Sequence, residues 1–278
     1  MKFSLIMATF GRGSELERMF ESLTGQTCDD FELIVVDQNL DDRVRRVVER
    51  FAGRLDIVYL RSEKGLSRAR NVGLQAARGE IVAFPDDDCW YAPDTLAFVL
   101  GRFAEDRHLA GLTGCTVDDS GKPSQGRWAT RSMLVDRYNI WTCACSATIF
   151  LRVDAASAAG RFDEQLGVGA GTRWGAGEEV NFLLGALRSG MRVRYDPQLR
   201  IGHPEPLEIF DDKAFSRGRL YNRGFGRVLR LNRYPAHYVS YMIARAVAGC
   251  VLSIIRYRPA RARYYWIAAS QRLLGWMD

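Results

Sequence analysis

Several features that would make this sequence easy to classify are missing. None of its six cysteines forms a Cys-x-x-Cys pair, and the "CAC" of Cys143 and Cys145 is not a standard zinc spacing. A zinc module and a disulfide framework are both excluded. The thiols are expected to be free, in a reducing compartment, and mostly small buried hydrophobes. The opening "MKFSLIMATFGRG" has one lysine and a short apolar run, without a long apolar core or a small-residue cleavage site. It predicts a first β-strand, not a secretory signal. There is no internal repeat and no low-complexity linker. The C-terminal apolar stretch is interrupted by Arg245, and residues 246–255 alone are too short to span a bilayer. Acid is almost absent from the last quarter. Residues 213–278 hold 13 Lys or Arg and one acid, Asp278, whereas residues 1–212 hold 26 basic and 32 acidic residues. An acidic front and a basic tail imply two tasks.

What is present begins as alternating strands and helices. "FSLIMATF" (3–10), "FELIVVDQN" (31–39), "LDIVYLRS" (55–62) and "EIVAFPDDD" (80–88) read as strands, apolar nearly throughout as in sheets covered on both faces. Between and after them, "SELERMFESL" (14–23, with Ser14 as N-cap), "DDRVRRVVERFAG" (41–53), "GLSRARNVGLQAARG" (65–79) and "PDTLAFVLGRFAED" (93–106) read as helices. Short links between such elements predict right-handed βαβ units, hence an α/β, Rossmann-like, mainly parallel sheet with helices on both faces. Beyond residue 110 the pattern is less regular. "LAGLTGCTV" (109–117), "SATIFLRV" (146–153) and "MRVRYDP" (191–197) are expected strands, and a Gly-rich loop leads into a helix that carries Val180, Leu183, Leu184 and Leu187.

In a parallel sheet, ligands bind at the carboxyl ends of the strands. Thr9, Asp37 and the run Asp86, Asp87 and Asp88 all fall there. Three consecutive carboxylates repel one another. They would cap the next helix, lie solvated in a loop, or bind a divalent cation. Pro93 and Asp94 already mark the helix start, and the strand-end position favours the cation. On an extended segment Asp86 and Asp88 would point the same way, and oxygen ligands suit Mg²⁺ or Mn²⁺.

Five stretches in order, "MATFGR", "VVDQN", "GLSRARNVGL", "FPDDDCW" and "WGAGEEVNFLLGALRSG", resemble the motifs of family 2 glycosyltransferases with the GT-A fold. The likeness runs from residue 3 to about 205. It implies a metal-dependent enzyme that moves a sugar from a nucleotide-diphosphate sugar to an acceptor hydroxyl, inverting, with Mg²⁺ or Mn²⁺ on the diphosphate. By the same resemblance Thr9 and Arg12 lie near the nucleotide, and Asp37 accepts from its base or ribose. Arg70, with Asn71 beside it, neighbours the nucleotide and phosphates, while Arg68 is merely solvated. Asp86 faces the ribose and the ion, Asp88 ligates the ion, and Asp87 stands behind them or exposed. The family shows an acidic pair where this chain has Glu178 and Glu179. Glu179 is the expected general base and Glu178 its support, although acids at a helix start also suit the helix dipole. Trp174 is expected against the acceptor sugar or as a structural residue, and His203 as a further metal ligand.

The expected organisation is a catalytic domain over 1–212 and a basic helical extension over 213–278. The nucleotide-sugar half covers about 1–110 and the acceptor half about 111–212. Arginines with Tyr and Trp in the extension predict amphipathic helices at an anionic membrane surface, with a helical cap on the core as the alternative. Nucleic acid is not an expected partner, because no RNA-binding motif is present. Acceptors in the family are often lipid-linked glycans, which implies surface polysaccharide synthesis by a cytoplasmic enzyme peripheral to the inner membrane face. Two rivals are a nucleotidyltransferase, for which "ATFGRGSE" is a poor phosphate loop, and a nucleotide-sugar-binding protein without catalysis.

Overall fold

The structure is a computed structural model that describes residues 1–204 and 209–278. The chain divides into two compact units. One comprises Met1–Phe162 and Phe182–Pro206, the other Asp163–Asn181 and Leu207–Asp278.

The first unit opens with β1 (Phe3–Thr9), α1 (Leu16–Thr24), β2 (Phe31–Asp37), α2 (Arg43–Phe51), β3 (Ile57–Arg61), α3 (Leu66–Ala76) and β4 (Ile81–Ala83). β5 (Trp90–Tyr91), α4 (Thr95–Glu105), β6 (Gly111–Val117), β7 (Met133–Leu134), β8 (Phe150–Arg152) and α5 (Val153–Ala159) follow. α6 (Glu178–Arg188) begins in the second unit and ends in the first, and β9 (Val193–Gly202) completes the sheet. The strand order is β3-β2-β1-β4-β8-β6-β9-β5, with β7 on β9. β3, β2, β1 and β4 are parallel neighbours. β8 enters antiparallel to both β4 and β6, and β6 pairs with β9 in parallel.

The reason for the parallel half lies in β1 and β2. Nearly every residue of both is buried, so both faces must be covered. α1 supplies Leu16, Met19, Phe20 and Leu23, and α2 supplies Val44, Val47, Val48 and Phe51, to the same core. The spacings are one helical face each.

Some boundaries differ from the sequence reading. Ser14 does not cap α1. Position Glu15 holds the cap, and no side chain bonds there. "SATIFLRV" is not one strand: Ser146–Thr148 form a 3-10 turn closed by the Thr148 N–H on the Cys145 carbonyl, and β8 starts at Phe150. β5, β7 and α5 escaped notice because two-residue strands show no period and "VDAASAA" has no large apolar stripe. All six cysteines are free, and Cys89, Cys115 and Cys143 are buried.

The second unit holds three long helices, α7 (Asp212–Leu231), α8 (Ala236–Ile255) and α9 (Pro259–Met277). Asp211 caps α7 by accepting from the Ala214 N–H at 2.7 Å. α7 and α9 cross backbone to backbone. Gly226 lies on the Arg272 carbonyl and Gly275 on the Arg223 carbonyl, so a side chain at either would force the helices apart. Arg272 is enclosed there, donating to the Asn222 side chain and the Met242 carbonyl at 3.0 Å each, and burial pulls its pKa down to about 10. α8 continues straight through Arg245. Among the described residues it is the one helix long and apolar enough to cross a membrane, by length and composition, with mean hydropathy 1.7. The expectation that this stretch is too short is thereby corrected: helix propagation does not stop at one arginine.

Candidate active site

At the carboxyl edge of the parallel strands, the loops after β1, β2 and β4 are stitched together. The Thr9 hydroxyl donates to Asp87 at 2.8 Å. Asn39 accepts from the Gly11 N–H at 2.8 Å, and Gln38 accepts from the Gly65 N–H at 2.8 Å, which ties in the start of α3. Asp37 is wholly buried. One of its oxygens accepts from the Asn39 backbone and side chain, and the other from the Tyr59 hydroxyl at 2.7 Å. Burial first, then this bond, raises the Tyr59 pKa.

The three aspartates do not alternate along an extended segment. β4 ends at Ala83, and residues 86–89 turn, with the Cys89 N–H on the Asp86 carbonyl at 3.3 Å. The carboxylates spread over different partners, with Arg12 shared by two of them. Asp86 accepts from Arg70 at 3.3 Å and from the Ser146 hydroxyl at 3.1 Å. Asp87 takes Thr9, with Arg12 at 3.6 Å. Asp88 takes Arg12 at 2.8 Å and the His203 ring at 3.0 Å. Asp87, expected behind the other two or exposed, has the least exposed side chain of the three, at 15%. Burial pushes its pKa up to about 6 and also raises that of Asp86. Asp88 is lowered instead, first by the His203 bond. Burial disfavours a charged His203, but Asp88 and the Pro204 carbonyl outweigh it and raise its pKa. In its charged form the ring donates from both nitrogens, at 3.0 Å to Asp88 and 2.8 Å to Pro204.

Two of the expected nucleotide contacts are buried. Arg70 is 1% exposed and lies beneath Asp86 with its guanidinium 5.5 Å from the Phe162 ring centre. Asn71 is buried, and its amide both donates to and accepts from the Phe162 backbone, at 3.0 and 2.9 Å. A side chain with both ends bonded to main chain is a clamp, and Asn71 ties α3 to Phe162. Arg68 is paired with Glu63 on the surface.

Hard carboxylate oxygens beside an imidazole suit Mg²⁺ or Mn²⁺. Burial raises the pKa values of Asp86 and Asp87, and a cation beside them would favour their ionised forms. Among the described residues, though, no three His, Cys, Asp or Glu side chains gather as around a metal. Of the expected trio, Asp88 and His203 are in contact at 3.0 Å, while Asp86 rests on Arg70 and Ser146.

In the second unit, the segment before α6 is held from several sides. The Gly167 N–H donates to the Trp174 carbonyl at 3.0 Å. Gly167 has φ 100°, and a β-carbon there would sit 3.0 Å from the buried Glu178 carboxylate, so the position admits only glycine. Glu178 and Glu179 open α6, where the helix dipole favours acids, and Glu179 is the less buried of the pair. The Gly175 N–H donates to the Leu220 carbonyl of α7 at 3.1 Å. The Trp174 indole N–H donates to Asp278 at 2.9 Å, and Arg227 lies over its ring at 4.4 Å. Asp278 also takes Arg223 through both oxygens at 2.9 Å. Arg223 above all, then Trp174, holds the Asp278 pKa down to about 2. Trp174 is thus fixed by the basic helices.

Sequence reading missed Tyr59, Asn39, Ser146 and Gln125, whose side-chain amide lies 2.8 Å from the His203 ring. "VVDQN" offered a hint of Asn39. The others lie 20 or more residues from their partners, and no local pattern marks them.

The sheet order and the acidic turn at its carboxyl edge define a class, the GT-A fold. Two solved structures share it across almost the whole chain. The mannosyltransferase PcManGT from Pyrobaculum calidifontis, in complex with GDP-Man and Mn²⁺, has TM-score 0.66 at 17% identity and covers 98% of this chain and 87% of its own. Staphylococcus aureus TarS 1-349 in complex with UDP-GlcNAc has TM-score 0.62 at 17% identity, covering 98% and 92%. At such identity the likeness speaks for the fold alone. Residues 4–156, just over half the chain, match Glycosyl transferase family 2, and the chain belongs to that family. Among curated relatives, the putative glycosyltransferase EpsH of Bacillus subtilis is 35% identical over 123 residues, 43% of this chain and 36% of its own length. The poly(ribitol-phosphate) beta-N-acetylglucosaminyltransferase TarS of S. aureus is 33% identical over 132 residues, 43% and 23%. The chain spans about a third or less of these relatives.

Proposed function

We propose that this chain is an inverting, metal-dependent glycosyltransferase that moves a sugar from a nucleoside-diphosphate sugar to the hydroxyl of a glycan acceptor. The observation that carries the reading is the cluster of Thr9, Arg12, Asp86, Asp87, Asp88 and His203 at the carboxyl edge of a parallel sheet in a chain of this family. Relatives of the same fold are described with UDP-GlcNAc and with GDP-Man and Mn²⁺. Asp37 and the Asn39–Gly11 tie would floor the nucleoside, and Arg12, paired here with Asp88, would meet a phosphate.

Asp88 would hold Mg²⁺ or Mn²⁺ together with His203 once its ring nitrogen has lost its proton. When bound, the ion supplies Lewis-acid charge to the leaving diphosphate. Until then Arg12 and the protonated ring balance the acids. Glu179 accepts the proton of the attacking acceptor hydroxyl. Glu178, seated on Gly167, fixes the first turn of α6 and so the direction of Glu179. Trp174 offers a rigid aromatic surface to the acceptor sugar. The acceptor is a lipid-linked glycan of surface polysaccharide synthesis, and the basic helices bring the enzyme to the anionic inner face of the membrane.

The test is Glu179→Gln. Sugar transfer to a glycan acceptor should fall by roughly 10²- to 10⁴-fold while donor binding, read by calorimetry, stays. Transfer at the wild-type rate would remove Glu179 as the base.

A further inference from the structure

α8 buries Val239, Met242, Ala246 and Ser253, one stripe at helical spacing. Ala246 packs with Ala268 and Ala269 of α9, and Gly249 admits the Tyr265 ring. The opposite face of a helix packed in this way is normally polar. Here it is not. Val251, Leu252, Ile254 and Ile255 are exposed, the last two at 61% and 66%, and Tyr257 at the turn into α9 is 94% exposed. They sit within the last two turns of α8 and the corner after it. Arg256 and Arg258 are exposed in the same corner, and Arg263 follows one turn into α9. No acid lies between Lys213 and Met277. An apolar tip ringed by arginines, with Tyr257 and Trp266 exposed nearby, is what a lipid interface accepts and an aqueous surface does not.

We propose that the α8–α9 corner is a wedge that enters an anionic lipid surface. Ile254, Ile255 and Tyr257 dip below the headgroups, and Arg256 and Arg258 bind headgroup phosphates around them. This deepens the membrane reading given above and rests on it. The corner enters without α8 crossing the bilayer. Arg245 is exposed near the middle of α8, where a crossing would place it in hydrocarbon. The buried stripe of α8 is also already committed to α9.

The experiment is sedimentation of the full chain with phosphatidylcholine vesicles, with and without phosphatidylglycerol, at low and high salt. The wild type should pellet with the anionic vesicles only, and less at high salt. Ile254→Ser with Ile255→Ser should weaken pelleting by at least about tenfold, since the lost contact is apolar area. Arg256→Gln with Arg258→Gln should weaken it by about fivefold per charge. Both variants replace exposed side chains, so their melting temperatures and circular dichroism should match the wild type.

Equal binding to neutral vesicles would overturn the arginine part of the proposal, and full binding by the isoleucine variant would overturn the wedge. A wild-type dimer that the isoleucine variant makes monomeric, with no vesicle binding by either, would assign the tip to a second copy of this chain instead. The nucleotide-binding reading is tested apart from this. A chain that pellets yet shows no stabilisation by any nucleoside diphosphate keeps the wedge and loses the transferase reading, and the reverse result does the opposite.

Discussion

The two acidic sites of this protein are built on opposite principles. In the first unit, the aspartates come from one heptapeptide, and each is answered at once by a cation or hydroxyl: Arg70 and Ser146 for Asp86, Thr9 for Asp87, Arg12 and His203 for Asp88. In the second, the acids open a helix, and the loop before them is held by main-chain bonds and by the side chain of Trp174. Trp174 is tied to Asp278, 104 residues away. The first site stores charge in a rigid sheet edge. The second is a loop splinted by helices that also carry an exposed apolar corner. The comparison teaches that the basic C-terminal region is part of the scaffold of the acidic pair, not an appendage to it.

The contrast can be broken by substitution, and the largest effect belongs to the first site. Arg70→Met should leave Asp86 without its buried cation and cost about 3 kcal/mol of stability, the low end for a broken buried pair because Asp86 keeps some solvent access. Calorimetry would read it, and an unchanged melting temperature would deny that Asp86 depends on this arginine. Next comes Gly167→Ala. Its φ of 100° and the nearness of Glu178 predict a loss of about 2 kcal/mol and a fall in kcat with little change in donor binding. A variant that melts and turns over like the wild type would show that the loop does not position Glu178. Smaller still is Asp278→Asn, at about 1 kcal/mol, with faster hydrogen exchange confined to residues 163–177. Unchanged exchange there would separate the helices from the loop.

The smallest effect is that of pH. His203 is raised above its ordinary value, so its pair with Asp88 stabilises the fold fully below about pH 6.5 and fades as pH climbs through the raised value. Asp87 is raised to about 6 by burial, so its ionised form is a cost that is relieved as pH falls through 6. Both make the metal-free protein more stable near pH 6 than near pH 8, by on the order of 1 kcal/mol. Mn²⁺ affinity should run the other way, because the ion competes with those protons. Titrations that show Mn²⁺ binding strengthening toward pH 6 would contradict this.

What was legible in the sequence follows from range. Strands such as "FELIVVD" show their burial in their own composition, and parallel sheets put ligands at strand ends, so Thr9, Asp37 and the aspartates fall at one edge. The turn at 86–89 was not legible, because three aspartates fit a turn and an extended segment equally. Nor was the clamp of Asn71 on Phe162, 91 residues distant. The second unit is assembled from residues 163–181 and 207–278, with β9 between them in sequence, and no local pattern announces such a pairing.

The central claim is that the acidic turn serves a nucleoside diphosphate and a divalent cation. The most direct measurement is the melting temperature of the full chain with UDP, dTDP, GDP, CDP or ADP, with and without Mn²⁺, repeated on Asp88→Ala. Binding stabilises the folded state by mass action, by about 2.7 kcal/mol at a hundredfold excess over Kd, and so raises the melting temperature. One nucleotide should stabilise the wild type only when Mn²⁺ is present, and Asp88→Ala should abolish that gain. No stabilisation by any of the five would contradict the account and leave "FPDDDCW" as a turn whose charges are balanced by its own arginines.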